Sequence, residues 1–98
     1  MMSGTQRSSD GLDARRKKIL FRSWHRGMRE MDLLLGQFAD ACLDGLSNEE
    51  LDTLESLMEI PDRDVLAWIT GEKATPATYD SALFQKIVSF HTHKNAIL

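Results

Sequence analysis

The residues able to do chemistry in this chain are few, and they fall in four places. Arg26-Gly27-Met28-Arg29-Glu30 sets a glycine among charges inside an amphipathic helical pattern. A glycine at an ordinary exposed helix position costs roughly 1 kcal/mol relative to alanine. It therefore marks a bend, a helix end or a surface that another backbone approaches closely. Arg26 and Glu30 stand at i and i+4, where a helix would let them pair as a solvated ion pair. Glu49, Glu50, Asp52, Glu55 and Glu59 form an acidic run, and it reads as the solvated back of a helix, with no EF-hand spacing. His91 and His93 are two residues apart, so a helix would point them to different sides; ligands on one helix are expected at i+3 or i+4. They read as surface histidines. Cys42 sits among Phe38, Ala41, Leu43 and Leu46 and reads as a buried structural thiol. No glycine-rich phosphate loop follows a strand, so the usual dinucleotide fold is not expected. Neither a catalytic residue, nor a metal site, nor a stably bound cofactor is predicted.

The elements that must position these residues are all helical, since no segment shows period-2 alternation. A first helix is predicted from about Asp13 to His25, with Ile19, Leu20 and Trp24 inward. A second runs from Gly27 or Met28 to Asp44, with Met31, Leu34, Leu35, Phe38 and Cys42 at i+3 and i+4 spacing. Gly45 reads as its C-terminal stop. Ser47-Asn48-Glu49-Glu50 reads as a capping box, with Leu46 and Leu51 placed as a hydrophobic staple. The third helix carries Leu51, Leu54, Leu57 and Met58 on to Ile60, where Pro61 breaks the run. Asp62 and Asp64 suit the positive start of a short fourth helix. It is expected to bury Val65, Leu66, Trp68 and Ile69 and to end at Gly71. A last helix is predicted from Thr78 to His93, with Tyr79, Leu83, Ile87 and Phe90 inward. Short loops between amphipathic helices predict an all-α fold, a compact five-helix bundle in one small domain.

Within the 98 residues, 1–12 are polar and expected to be a disordered tail, 13–93 the helical domain, and 94–98 a short C-terminal tail. No run approaches the roughly 20 apolar residues of a membrane span, and the N-terminus lacks the apolar stretch of a secretion signal. With a single cysteine, a reducing cytoplasm fits. The net charge of −3 hides an asymmetry: residues 1–32 hold eight Lys or Arg against four Asp or Glu, and residues 33–72 hold ten acidic residues against Arg63 alone. Such halves make a dipolar surface able to orient a charged partner.

Two blocks resemble one family. Trp24-His25-Arg26-Gly27-Met28-Arg29-Glu30-Met31-Asp32-Leu33-Leu34-Leu35-Gly36-Gln37-Phe38-Ala39 resembles the RGxxE signature region of the succinate dehydrogenase flavinylation factors, the SdhE-type FAD assembly factors. Asp62-Arg63-Asp64-Val65-Leu66-Ala67-Trp68-Ile69-Thr70-Gly71 is similar to that family's second block, and the likeness spans roughly residues 15 to 92. The resemblance implies a chaperone-like assembly factor of the bacterial cytoplasm, monomeric when free. It would bind the apo flavoprotein subunit of succinate dehydrogenase or fumarate reductase and promote covalent attachment of FAD to a histidine there. The flavin would belong to the partner and not to this chain. The motif falls on Arg26, Gly27 and Glu30, which the resemblance implies as the contact surface. Gly27 would admit a partner backbone, and Arg26 offers a planar fork for carboxylates or carbonyls. Glu30 would brace Arg26 or accept donors, with Arg29 nearby. Met28 and Trp24 would supply an apolar anchor at the rim, although Trp24 reads also as a core residue, and Trp68 mostly so.

Nucleic-acid binding is the competing class. Arg15-Arg16-Lys17-Lys18, Arg22, Arg26 and Arg29 lie on one helix and the start of the next, and a basic helix can follow phosphates. Against it stand a sequence pI near 5.5 and the lack of helix-turn-helix spacing or an RNP-like aromatic platform. An antitoxin-like adaptor using the same patch is a further alternative. On balance no nucleic acid and no membrane insertion are expected.

Overall fold

The computed structural model describes residues 11–93, and these hold five α-helices and no strand. Most of the tail expected at 1–12, and all of that expected at 94–98, lies outside the described residues. The fold class is therefore all-α, as the periodicity predicts. Contacts divide the chain between Leu46 and Ser47 into two units.

In the first unit, α1 spans Ala14–Trp24 and α2 spans Arg29–Cys42, followed by a 3₁₀ turn, Leu43–Gly45. Asp13 caps α1: its carboxylate accepts the Arg16 backbone N–H at 2.7 Å, serving a donor that the first turn leaves unpaired. Arg16 then does what no local pattern shows. Its Nε donates to the Leu43 carbonyl at 3.1 Å, its second guanidinium nitrogen donates to the Leu46 carbonyl, and its third reaches Asp13 at 2.7 Å. One planar fork thus ties the start of α1 to the chain just past the end of α2. The apolar faces pack α1 on α2, with Ile19, Leu20, Trp24, Met31, Leu34, Leu35, Phe38 and Ala39 buried. Gly45 closes the 3₁₀ turn and is not among the left-handed glycines. Cys42, expected to be buried, is half-buried at the last position of α2.

In the second unit, α3 spans Asn48–Met58, α4 spans Asp62–Thr70 and α5 spans Ala82–His93, with a 3₁₀ turn at Ala77–Tyr79. The capping box forms as its sequence predicts: Glu50 N–H donates to Ser47 Oγ at 3.1 Å, and Ser47 N–H to Glu50 Oε1 at 2.9 Å. Lys86 Nζ reaches the other Glu50 oxygen at 2.5 Å. That ammonium, with the Ser47 backbone, holds the Glu50 carboxyl below its ordinary range. Gly71 ends α4 in the left-handed conformation, φ +82°. Three expectations fail here. The last helix begins at Ala82, not Thr78, because Ser81 Oγ takes the Phe84 N–H and makes the cap. Its buried positions are Leu83, Phe84, Ile87 and His91, while Phe90 is half-buried. On α4 only Val65 and Ala67 are buried; Trp68 is half-buried, stacked on Tyr79 with centroids 5.3 Å apart.

Candidate functional site

The segment 25–28 between α1 and α2 is where the charged glycine motif comes to lie. α1 stops at His25, whose backbone N–H still reaches the Arg22 carbonyl. Gly27 has φ +96°, a region that an L side chain rarely adopts, so the helix cannot run through it. Met28 is the extended N-cap of α2, and the helix begins at Arg29. The loop is pinned from beyond: Arg26 N–H donates to Asp32 Oδ1 at 2.6 Å, and Asp32 N–H donates to the Met28 carbonyl at 2.9 Å. Asp32 and Glu30 also place negative charge in the first turn of α2, at the positive end of its dipole.

This geometry rearranges the sequence reading. Arg26 lies in the loop and Glu30 in the first turn of α2, so the two are not i and i+4 neighbours on one helix face. Gly27 is exposed, and a Cβ built on it would meet nothing within 4 Å. Its backbone therefore both favours glycine and lies open. Arg29 and Glu30 are exposed beside it, and Arg26 and Met28 are half-buried. Five of the six candidate residues thus share one surface stretch. Trp24 does not join them: it is 6% exposed, and its Nε1–H donates to Asp40 Oδ1 at 3.1 Å. Its indole lies over Gly36, where an added Cβ would fall 2.3–2.7 Å from the ring carbons. Trp24 is the wedge that sets how closely α1 and α2 approach.

Asp32, Gly36 and Asp40 are the positioning residues that sequence reasoning missed. Gly36 carries a legible clue, since a glycine inside a helix pattern usually has a packing reason; Asp32 and Asp40 look like any solvated carboxylates. The basic cluster also changes character, because Arg16 is committed to the Leu43 and Leu46 carbonyls. His91, expected at the surface, is 4% exposed and meets Phe90 edge-on at 5.0 Å. Among the described residues no group of three His, Cys, Asp or Glu could hold a metal ion, and no helix is long and apolar enough to cross a membrane.

Comparison with known proteins gives a consistent result. The family described as "Flavinator of succinate dehydrogenase" matches residues 17–91. The chain is 41% identical over 75 residues to the FAD assembly factor SdhE of Acetobacter pasteurianus, covering 70% of this chain and 69% of that protein. It is 42% identical over 65 residues to the mitochondrial succinate dehydrogenase assembly factor 2 of Debaryomyces hansenii, covering 66% of this chain and 46% of the relative. To the protein of that name in Dictyostelium discoideum it is 35% identical over 80 residues, or 82% of this chain and 56% of the relative. It thus spans about half the length of these mitochondrial relatives. No solved structure matches. With the family match running from α1 into α5 and including the whole of the 25–30 segment, the chain belongs to the succinate dehydrogenase flavinator family.

Proposed function

We propose that this chain binds the apo flavoprotein subunit of succinate dehydrogenase, or of fumarate reductase, and promotes covalent attachment of FAD to it. The observation that carries the reading is the open Gly27 turn inside the matched region. Its φ of +96° favours glycine, nothing lies within 4 Å of its missing Cβ, and Arg26, Arg29 and Glu30 flank it in the chain. A turn of that form admits a partner backbone to close range. The arginines offer planar donors to carboxylates or carbonyls, and Glu30 accepts from donors opposite.

Binding alone can accelerate the attachment. A factor that prefers one arrangement of the flavoprotein shifts its population only by that preference. If the preferred arrangement holds the flavin ring against the acceptor histidine, bond formation gains from proximity and orientation. This chain then supplies no catalytic group, the flavin stays with the partner, and the factor works in the cytoplasm, monomeric until it meets that partner. Titration calorimetry with the purified apo flavoprotein subunit tests the reading. A one-to-one complex that Gly27→Arg prevents, with the variant's circular dichroism unchanged, is the expected result. No heat of binding from the wild type would refute it.

A further inference from the structure

Phe21 is the exposed large apolar side chain of the described residues, at 62% exposure. A lone exposed aromatic is ordinary. This one is built differently. Its ring stacks on His25 with centroids 3.9 Å apart and planes 17° from parallel. The His25 Nδ1 lies 2.6 Å from the Phe21 carbonyl; a carbonyl only accepts, so Nδ1 carries the proton and donates. The imidazole is thereby fixed to the helix that carries the phenyl ring, and each ring limits the other's rotation. The pair sits at the last turn of α1, immediately before Arg26 and Gly27. Lys17 and Lys18, four and three residues earlier, are exposed on the same side of the helix.

We propose that the Phe21–His25 stack is a second anchor for the flavoprotein subunit, extending the Gly27 surface along α1. The site it takes on that partner is an apolar pocket rimmed by carboxylates. This rests on the proposed function above. A ring already held in place loses little freedom on binding, so its burial appears as affinity. Aromatic and arginine side chains side by side are the usual composition of binding hot spots. The lysines and the Arg26–Arg29 stretch fix the sign of the complementary charge as negative. Because the stack is continuous in sequence with the Gly27 turn, one partner surface can cover both.

The test is the affinity of the full chain for the apo flavoprotein subunit, measured for wild type, Phe21→Ala and Phe21→Tyr. Phe21→Ala is expected to weaken binding about tenfold or more while its melting temperature stays at the wild-type value. Phe21→Tyr, which keeps the ring, is expected to bind within about threefold of wild type, since its hydroxyl can donate to the carboxylates at the pocket's rim. If wild type binds and Phe21→Ala binds equally well, the anchor is refuted and the proposed function stands. If wild type itself does not bind, both fall together. Binding of a random single-stranded oligonucleotide that Phe21→Ala abolishes, with flavoprotein affinity unchanged, would assign the platform to base stacking and overturn the proposal.

Discussion

Gly36→Ala should destabilise this chain although alanine is the better helix former. A Cβ at this position would lie 2.3, 2.5 and 2.7 Å from Cδ2, Cε2 and Cε3 of Trp24. Carbon pairs settle at about 3.5–4.0 Å, so the indole has to retreat by roughly 1 Å. Those three carbons lie at and beside the ring fusion, not at a flexible tip. The ring has little room to move, being 6% exposed and tied to Asp40. Either α1 shifts away from α2 or the indole–carboxylate bond breaks. Overpacking of this kind costs about 1–3 kcal/mol, and the gain in helix propensity offsets up to about 1 kcal/mol. A net loss of about 1–2 kcal/mol corresponds to a melting temperature lowered by about 4–16 °C in a chain of this size. Thermal unfolding followed by circular dichroism reads it. Gly45→Ala is the control, since nothing lies within 4 Å of that position and its φ is not positive. Pairing Gly36→Ala with Trp24→Leu should cost less than the two changes summed, because the smaller side chain relieves the overlap. An unchanged or raised melting temperature in Gly36→Ala would refute the wedge.

Gly27→Ala should lower stability by about 1–2 kcal/mol from backbone strain alone; Gly27→Asn should lose less, since asparagine tolerates positive φ better. Equal melting temperatures for the two variants would contradict the conformation assigned to the turn. Arg16→Lys should cost about 1–2 kcal/mol, because a point charge on a flexible stem cannot serve both the Leu43 and Leu46 carbonyls while holding Asp13; a chemical melt with unchanged midpoint would overturn it. Acid should weaken the fold in a definite direction. Asp13, through the Arg16 backbone bond, and Glu50, through Lys86, titrate below their ordinary values in the folded chain. Depressed folded values mean that the unfolded chain binds more protons, so their contribution is full above the ordinary carboxylate range. It is lost as pH falls from about 5 downward. Glu50→Gln should flatten that acid limb, and an unchanged limb would refute the assignment.

How much of this was legible in the sequence depends on how local each cause is. The Ser47–Glu50 box and the stop at Gly71 are written within four or five residues, and both form as read. The all-α class follows from periodicity, which averages over many positions. Phase was the weak point in α5. The pattern permits a helix from Thr78, but the Ser81 cap starts it at Ala82, and the buried stripe then takes Phe84 and His91 in place of Phe90. Trp68 is apolar enough for a core, yet it lies half-open against Tyr79, a pairing fixed by the loop between them. Arg16 reads as one member of a basic run, because the carbonyls that it serves are 27 and 30 residues away. At the candidate site the residues were legible and the reason for Gly27 only half so. Charge around a glycine suggests an open surface, but nothing local states that the backbone turns left-handed there.

Covalent flavin on the partner is the most direct measure of what this chain does. Apo flavoprotein subunit of succinate dehydrogenase is incubated with FAD, alone, with this chain, and with its Gly27→Arg variant; covalent flavin is then read by fluorescence in denaturing gels. The expected result is attachment accelerated by the wild type and not by the variant, although both chains remain helical. Equal covalent flavin in all three reactions would contradict the account.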